Sequence, residues 1–182
     1  TPILIGIIGF GNQGRAQALN LRDSGVDVRI GLREGSKMRN KAGVDGLICL
    51  SIKEAVRNCD IISILIPDQV MGNVYNETID PYLHDGQTLL FSHGYNIHYN
   101  IINPPNHVNV IMVAPSGAGS EVRNQYKKGM GIPGLIAIHQ DYTGDSFDLA
   151  LSYSKAIGLT RLGVFQSTFK EETETDLFGE QI

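Results

Sequence analysis

The 182-residue chain is 42% hydrophobic and 19% charged, with 19 acidic residues against 15 Lys and Arg and a formal net charge of −4. It is long enough to bury most of its apolar surface in one globular domain, and the acidic balance argues against nucleic acid, whose phosphate backbone needs a basic face. Its longest apolar runs are strand-sized, far below the ~20 residues that span a bilayer, and no secretion signal opens it, so the expectation is a cytoplasmic protein with no membrane partner.

Ile3–Ile8 is an apolar run of strand length, followed by Gly9-Phe10-Gly11-Asn12-Gln13-Gly14 and then by Ala16, Ala18, Leu19 and Leu21 at helical spacing up to Gly25. In a strand–turn–helix context each glycine of a G-x-G-x-x-G has a task. Gly9 permits the tight turn, Gly11 lets a pyrophosphate approach the backbone, and Gly14 lets the helix pack on the strand. The helix N-terminus then offers N–H groups and a positive dipole end to the phosphates. With 21 glycines in the chain, a bland strand–turn–helix is the competing reading. Val26–Leu32 alternates as a second strand and completes βαβ. An acidic residue at its end would bind the ribose 2′-OH of NAD. Arg33 stands there instead, with Ser36 close by, and a guanidinium beside a hydroxyl suits the 2′-phosphate of NADP. Alternatively Arg33, Lys37, Arg39 and Lys41 form only a solvated basic loop.

Cys49 and Cys59 lack metal-ligand spacing and read as reduced, half-buried thiols. Ser51 and Glu54 have the form of a capping box opening a helix over Ile52–Asn58. Asp60–Ile66 is apolar on both faces, as a central parallel strand is. Pro67 breaks it, and Asp68 is placed to cap the segment after it. Ligands of open α/β sheets sit beyond the carboxyl ends of the strands, so Pro67–Met71 is either a cleft lining or an ordinary loop. Gln87–Phe91 is the next strand, and His93, directly after it, is the best general-base or substrate-positioning candidate among the five histidines. Further strands lie at Val108–Val113, Gly134–His139 and Leu162–Phe165, with helices at Ser120–Lys128 and Phe147–Ile157. The alternation predicts a doubly wound, Rossmann-like α/β fold with a mostly parallel sheet. At the end of the chain, Asp176 and Glu180 are one helical turn apart. They are either a solvated acidic face or oxygen ligands for Mg²⁺.

Gly9–Gly14, Gly31-Leu32-Arg33-Glu34-Gly35-Ser36, Ile66–Val70, His93–His98, Val110–Pro115, Ile136–Asp141 and above all Phe169–Gln181 together resemble ketol-acid reductoisomerase, the branched-chain amino-acid biosynthesis family, over essentially the whole chain. The resemblance implies an NADPH- and Mg²⁺-dependent enzyme acting on a small acetohydroxy acid, 2-acetolactate or 2-aceto-2-hydroxybutyrate, with alkyl migration followed by hydride transfer. A homo-oligomer is the expectation for assembly. Carried over by position, Gly9, Phe10, Gly11, Asn12, Gln13, Gly14, Arg33 and Ser36 bind NADPH. Asp68, Gln69, Val70 and Met71 line the cofactor cleft with Gly119 near it, His93 is the active-site histidine, and Asp176 and Glu180 are metal ligands. Residues 1–171 would be the NADP-binding domain and 172–182 the first helix of a helical metal-binding domain, so that this chain alone binds cofactor without turnover. One position departs from the family: Ser116 stands where an active-site lysine is usual, and a hydroxyl cannot supply its charge. A non-catalytic NADP-binding sensor or interaction module is therefore the alternative.

Overall fold

The computed structural model describes residues 2–179. Eight strands form one sheet in the order β3-β2-β1-β4-β5-β6-β7-β8. They are β1 (Leu4–Ile8), β2 (Asp27–Gly31), β3 (Ile48–Leu50), β4 (Ile61–Ile64), β5 (Thr88–Phe91), β6 (Asn109–Pro115), β7 (Gly134–Gln140) and β8 (Val164–Gln166). The first six are parallel. Strand β7 runs antiparallel to β6, with a register irregularity at Val110/Ile111, and β8 is parallel to β7. Chain order reverses between β1 and β4, the switch point where such sheets open a crevice at their carboxyl edge.

The helices are α1 (Asn12–Asp23), α2 (Met38–Val44), α3 (Ile52–Asn58), α4 (Asp68–Val74), α5 (Tyr95–His98), α6 (Gly119–Lys127), α7 (Ser146–Ile157) and α8 (Phe169–Gly179). They cover both faces of the sheet and create two cores. One collects Leu19 and Leu21 of α1, Val122 of α6 and Ala150, Tyr153 and Ile157 of α7 over Ile61, Leu90, Ile111 and Val113. The other collects Val56, Met71, Tyr75, Ile97 and Phe169 over Ile62, Ile64, Leu89, Phe91 and Met112. The two faces of β4, β5 and β6 divide between these cores, which is why their sequences read apolar without alternation.

The capping box of α3 forms as the sequence predicts: Glu54 N–H donates to Ser51 Oγ at 3.2 Å, and Ser51 N–H donates to Glu54 Oε2 at 2.9 Å. Three expectations are corrected. Pro67, not Asp68, is the N-cap residue of α4, and no side chain caps that helix. Asp68 is its first helical residue, turned to accept from Asn96 Nδ2 at 3.1 Å. Pro67–Met71 therefore enters a helix, which runs on through a π-helical turn at Tyr75–Ile79. Both thiols are free, but Cys59 is fully rather than half buried, and burial pushes its thiol up to about 11. No described helix is long and apolar enough to cross a membrane.

Candidate cofactor and metal site

The glycine turn has the geometry its spacing implies. Gly9 has φ +100°, a region L side chains rarely adopt, and a Cβ on Gly14 would stand 2.8 Å from the Gly9 carbonyl oxygen. Gly11 is the N-cap residue of α1 and has open space where a side chain would be. No side chain caps α1, so its first N–H groups are available to an anion. Phe10 is buried in the core and holds the turn from below. Gly119, at the start of α6, is also buried, and a side chain there would collide with the Asn12 carbonyl. It brings the N-termini of α6 and α1 together, and Gln13 Nε2 donates to Gly117 O at 2.9 Å across the same junction.

Contiguous cavities line the carboxyl edge of the sheet. A 430 Å³ cavity beside β2 is bordered by Gly9, Leu32, Arg33, Ser36, Val70 and Glu77. The basic loop is not uniform. The Arg39 guanidinium donates to Leu32 O at 2.8 Å, Arg33 O at 3.2 Å and Leu50 O at 3.3 Å, stapling the loop. Arg33 is exposed and makes no side-chain hydrogen bond among the described residues. Ile66 and Pro67 lead into a 350 Å³ cavity bordered by Gly11, Asn12, Gln13, Asp68, Gln69, Met71, Ser92 and His93. Beyond His93 lie a 410 Å³ cavity reaching Asp68, Glu172 and Asp176 and a 290 Å³ cavity reaching Ser116, Glu172 and Asp176.

His93 is half-exposed, and its Nδ1 stands 3.2 Å from Glu172 Oε1. The other oxygen, Glu172 Oε2, accepts the Gly94 N–H at 2.6 Å. The bond to Glu172 raises the His93 pKa above its ordinary value, with the nearby charges of Asp68 and Asp176 adding to it against desolvation. Burial pushes the Asp68 carboxyl up, against the lowering pull of His93. Asn96 spans Asp68 and Met71, donating also to Met71 Sδ at 3.4 Å, while its buried Oδ1 has no partner among the described residues. One ligand atom each from His93, Glu172 and Asp176 lie within 4.8 Å of one another. Two carboxylates and a cleft open to water suit a hard divalent cation that keeps part of its hydration shell.

The site thus brings together His93, Asp176, Asp68 and Gln69 with the glycine turn. Glu180 lies outside the described residues. Glu172 is the residue that sequence reasoning missed. The signal was present, since Glu172 and Asp176 repeat the one-turn spacing of Asp176 and Glu180. Three of the other four histidines have structural neighbours instead: His139 lies edge-on to Phe169, His98 against Tyr99, and His107 Nε2 is 3.9 Å from Asp85.

The chain matches the family described as acetohydroxy acid isomeroreductase, NADPH-binding domain, over residues 3–163. It is 56% identical to the ketol-acid reductoisomerase (NADP(+)) of Methanocaldococcus jannaschii over 178 residues, which is 98% of this chain and 54% of that protein. The same identity and coverage hold for the enzyme of that name from Pyrococcus abyssi. Among solved structures, an NADH-preferring ketol-acid reductoisomerase from an uncultured archean superposes with a TM-score of 0.94 at 43% identity, over 98% of this chain and 56% of that one. The pyrroline carboxylate reductase of Plasmodium falciparum, at 17% identity and a TM-score of 0.65 over 98% of this chain and 65% of that one, shares the fold alone. The chain spans about half the length of the curated relatives it matches. On sequence and fold alike, it belongs to the ketol-acid (acetohydroxy acid) reductoisomerase family, through that family's NADPH-binding domain.

Proposed function

We propose that this chain is the cofactor domain of an NADPH- and Mg²⁺-dependent ketol-acid reductoisomerase that converts 2-acetolactate or 2-aceto-2-hydroxybutyrate to the 2,3-dihydroxy acid. Residues 1–171 form the dinucleotide domain, and 172–182 begin the metal-binding helical segment. The observation that carries the reading is one cleft joining the glycine turn, Arg33, His93 and the Glu172/Asp176 carboxylates at the carboxyl edge of the sheet. In this reading Gly9–Gly14 receive the pyrophosphate, Arg33 and Ser36 the 2′-phosphate, and Asp68, Gln69, Val70 and Met71 form the wall along the dinucleotide. NADPH, when bound, supplies the hydride.

Asp176 would hold Mg²⁺, with Glu172 beside it and Glu180 four residues further along the sequence. Mg²⁺, when bound, supplies Lewis-acid polarisation of the substrate oxygens. Glu172 also holds His93 in place, and a protonated His93 presents a positive charge and an N–H donor to the substrate side of the cleft. Ser116 offers a hydroxyl and no charge at the edge of the same space. Homo-oligomeric assembly and a cytoplasmic location belong to this reading.

The test is NADPH oxidation with 2-acetolactate and Mg²⁺, run on this chain alone and on the chain joined to the C-terminal half of an archaeal relative. Turnover confined to the joined protein supports the reading. Tight NADPH binding without turnover in either would favour a non-catalytic NADP-binding protein, the outcome to which Ser116 points.

A further inference from the structure

A chain of buried side chains lies beneath the cleft. Gln17 and Ser63 are fully buried, Tyr153 is 2% exposed and Ser92 is 6% exposed. Tyr153 OH and Gln17 Oε1 are 2.7 Å apart, Ser63 Oγ and Tyr153 OH 3.2 Å. Gln17 Nε2 is 3.1 Å from Gln13 Oε1 and 3.3 Å from Ser92 Oγ, and Gln13 Nε2 is 2.9 Å from Gly117 O.

The chemistry of these groups sets the direction of every bond. The Gly117 carbonyl can only accept, so Gln13 must turn its amide nitrogen to it and its amide oxygen to Gln17. Gln17 must then present its nitrogen to Gln13, and with its second hydrogen it donates to Ser92 Oγ. Its oxygen is left for Tyr153, which has one proton and spends it there, so Ser63 donates to Tyr153. Ser92 consequently accepts from the protein and keeps its own proton unused among the described residues. Ser92 borders both the 350 Å³ cavity of the glycine turn and the 290 Å³ cavity beside Glu172 and Asp176. A buried hydroxyl proton with no protein acceptor seeks one in the cleft.

We propose that Ser92 donates a hydrogen bond to the carboxamide oxygen at the nicotinamide end of the bound dinucleotide, and that Gln17 and Tyr153 are positioning residues that keep this proton turned into the cleft. The proposal rests on the cofactor reading above, which puts the 2′-phosphate end at Arg33 and leaves the opposite end beside Ser92 and His93. It makes the nicotinamide orientation depend on residues outside Gly9–Gly14.

Equilibrium titrations of the chain with NADPH and with 2′-phospho-ADP-ribose, which lacks the nicotinamide, test it. Ser92→Ala should weaken NADPH about fivefold, the worth of one net hydrogen bond, while leaving the truncated ligand unchanged within about twofold. Tyr153→Phe should weaken NADPH in the same selective way by a smaller factor, and Ser92→Thr, which keeps the hydroxyl, should retain NADPH affinity. Equal losses for both ligands in Ser92→Ala, or no loss for either, would overturn the role of Ser92. Tyr153→Phe binding NADPH like the wild type would overturn the positioning role. A wild-type chain that binds neither ligand would instead refute the cofactor reading.

Discussion

His93 Nδ1 and Glu172 Oε1 stand 3.2 Å apart across 79 positions of sequence, joining the end of β5 to the first turns of α8. The Glu172 carboxylate holds the ring with one oxygen and the Gly94 N–H with the other. It therefore fixes the residue that separates the dinucleotide part of the cleft from its carboxylate part.

This pair has a pH signature. The Glu172 bond raises the His93 pKa in the folded state, so the folded state binds that proton more tightly than the unfolded chain does. The resulting stabilisation is full below the ordinary histidine range and is lost as pH rises through the raised folded value. In metal-free protein, NMR titration of the His93 ring should show a midpoint above the ordinary value of about 6.5, and Glu172→Gln should bring it down. An unmoved midpoint would contradict the pairing.

Among the described residues, Arg33 is the free guanidinium of its loop, because Arg39 is engaged with three carbonyls. Arg33→Asp should weaken NADPH by about tenfold or more, as loss of a charge-assisted phosphate contact does, and NADH much less. Direct binding titrations with both dinucleotides decide it. Equal loss for the two would remove the 2′-phosphate from Arg33.

Asp176 borders both carboxylate-side cavities. Asp176→Asn should reduce Mn²⁺ affinity, read by electron paramagnetic resonance of the free ion, by about tenfold. NADPH binding should stay within about twofold, because the glycine turn lies at the other side of His93. Unchanged Mn²⁺ affinity would exclude Asp176 as a ligand.

The Ser51–Glu54 capping box satisfies N–H groups at the start of α3, whose Ala55 and Val56 pack into the core. Ser51→Ala should cost about 1 kcal/mol of unfolding free energy, measured by urea denaturation. A loss well below that would mean that α3 is held by its packing alone.

The glycine turn, the capping box and the central strands were legible because each rests on local chemistry: a backbone angle, a reciprocal pair three residues apart, an apolar run between breakers. The reversal of β7 was not, since Gly134–Gln140 reads as a strand in either direction and only its pairing with β6 decides. Asp68 misled because a carboxylate after Pro67 has the form of a cap, whereas Asn96, 28 residues on, claims it. The spacing of Glu172 from Asp176 was legible, but its partners were not, for the same reason. Its role depends on His93 and Gly94, which only the fold brings to it. Ser92 reads as an ordinary strand-end serine until Gln17 and Tyr153 are seen beneath it.

The most direct test is a crystal structure of the chain with NADPH and Mg²⁺. The expected result is the pyrophosphate on the N-terminus of α1 and the 2′-phosphate on Arg33 and Ser36. The nicotinamide carboxamide should lie within hydrogen-bond distance of Ser92 Oγ, with the metal on Asp176. A dinucleotide lying in the reverse direction, or a nicotinamide pointing away from Ser92 and His93 with no metal on Asp176, would contradict it.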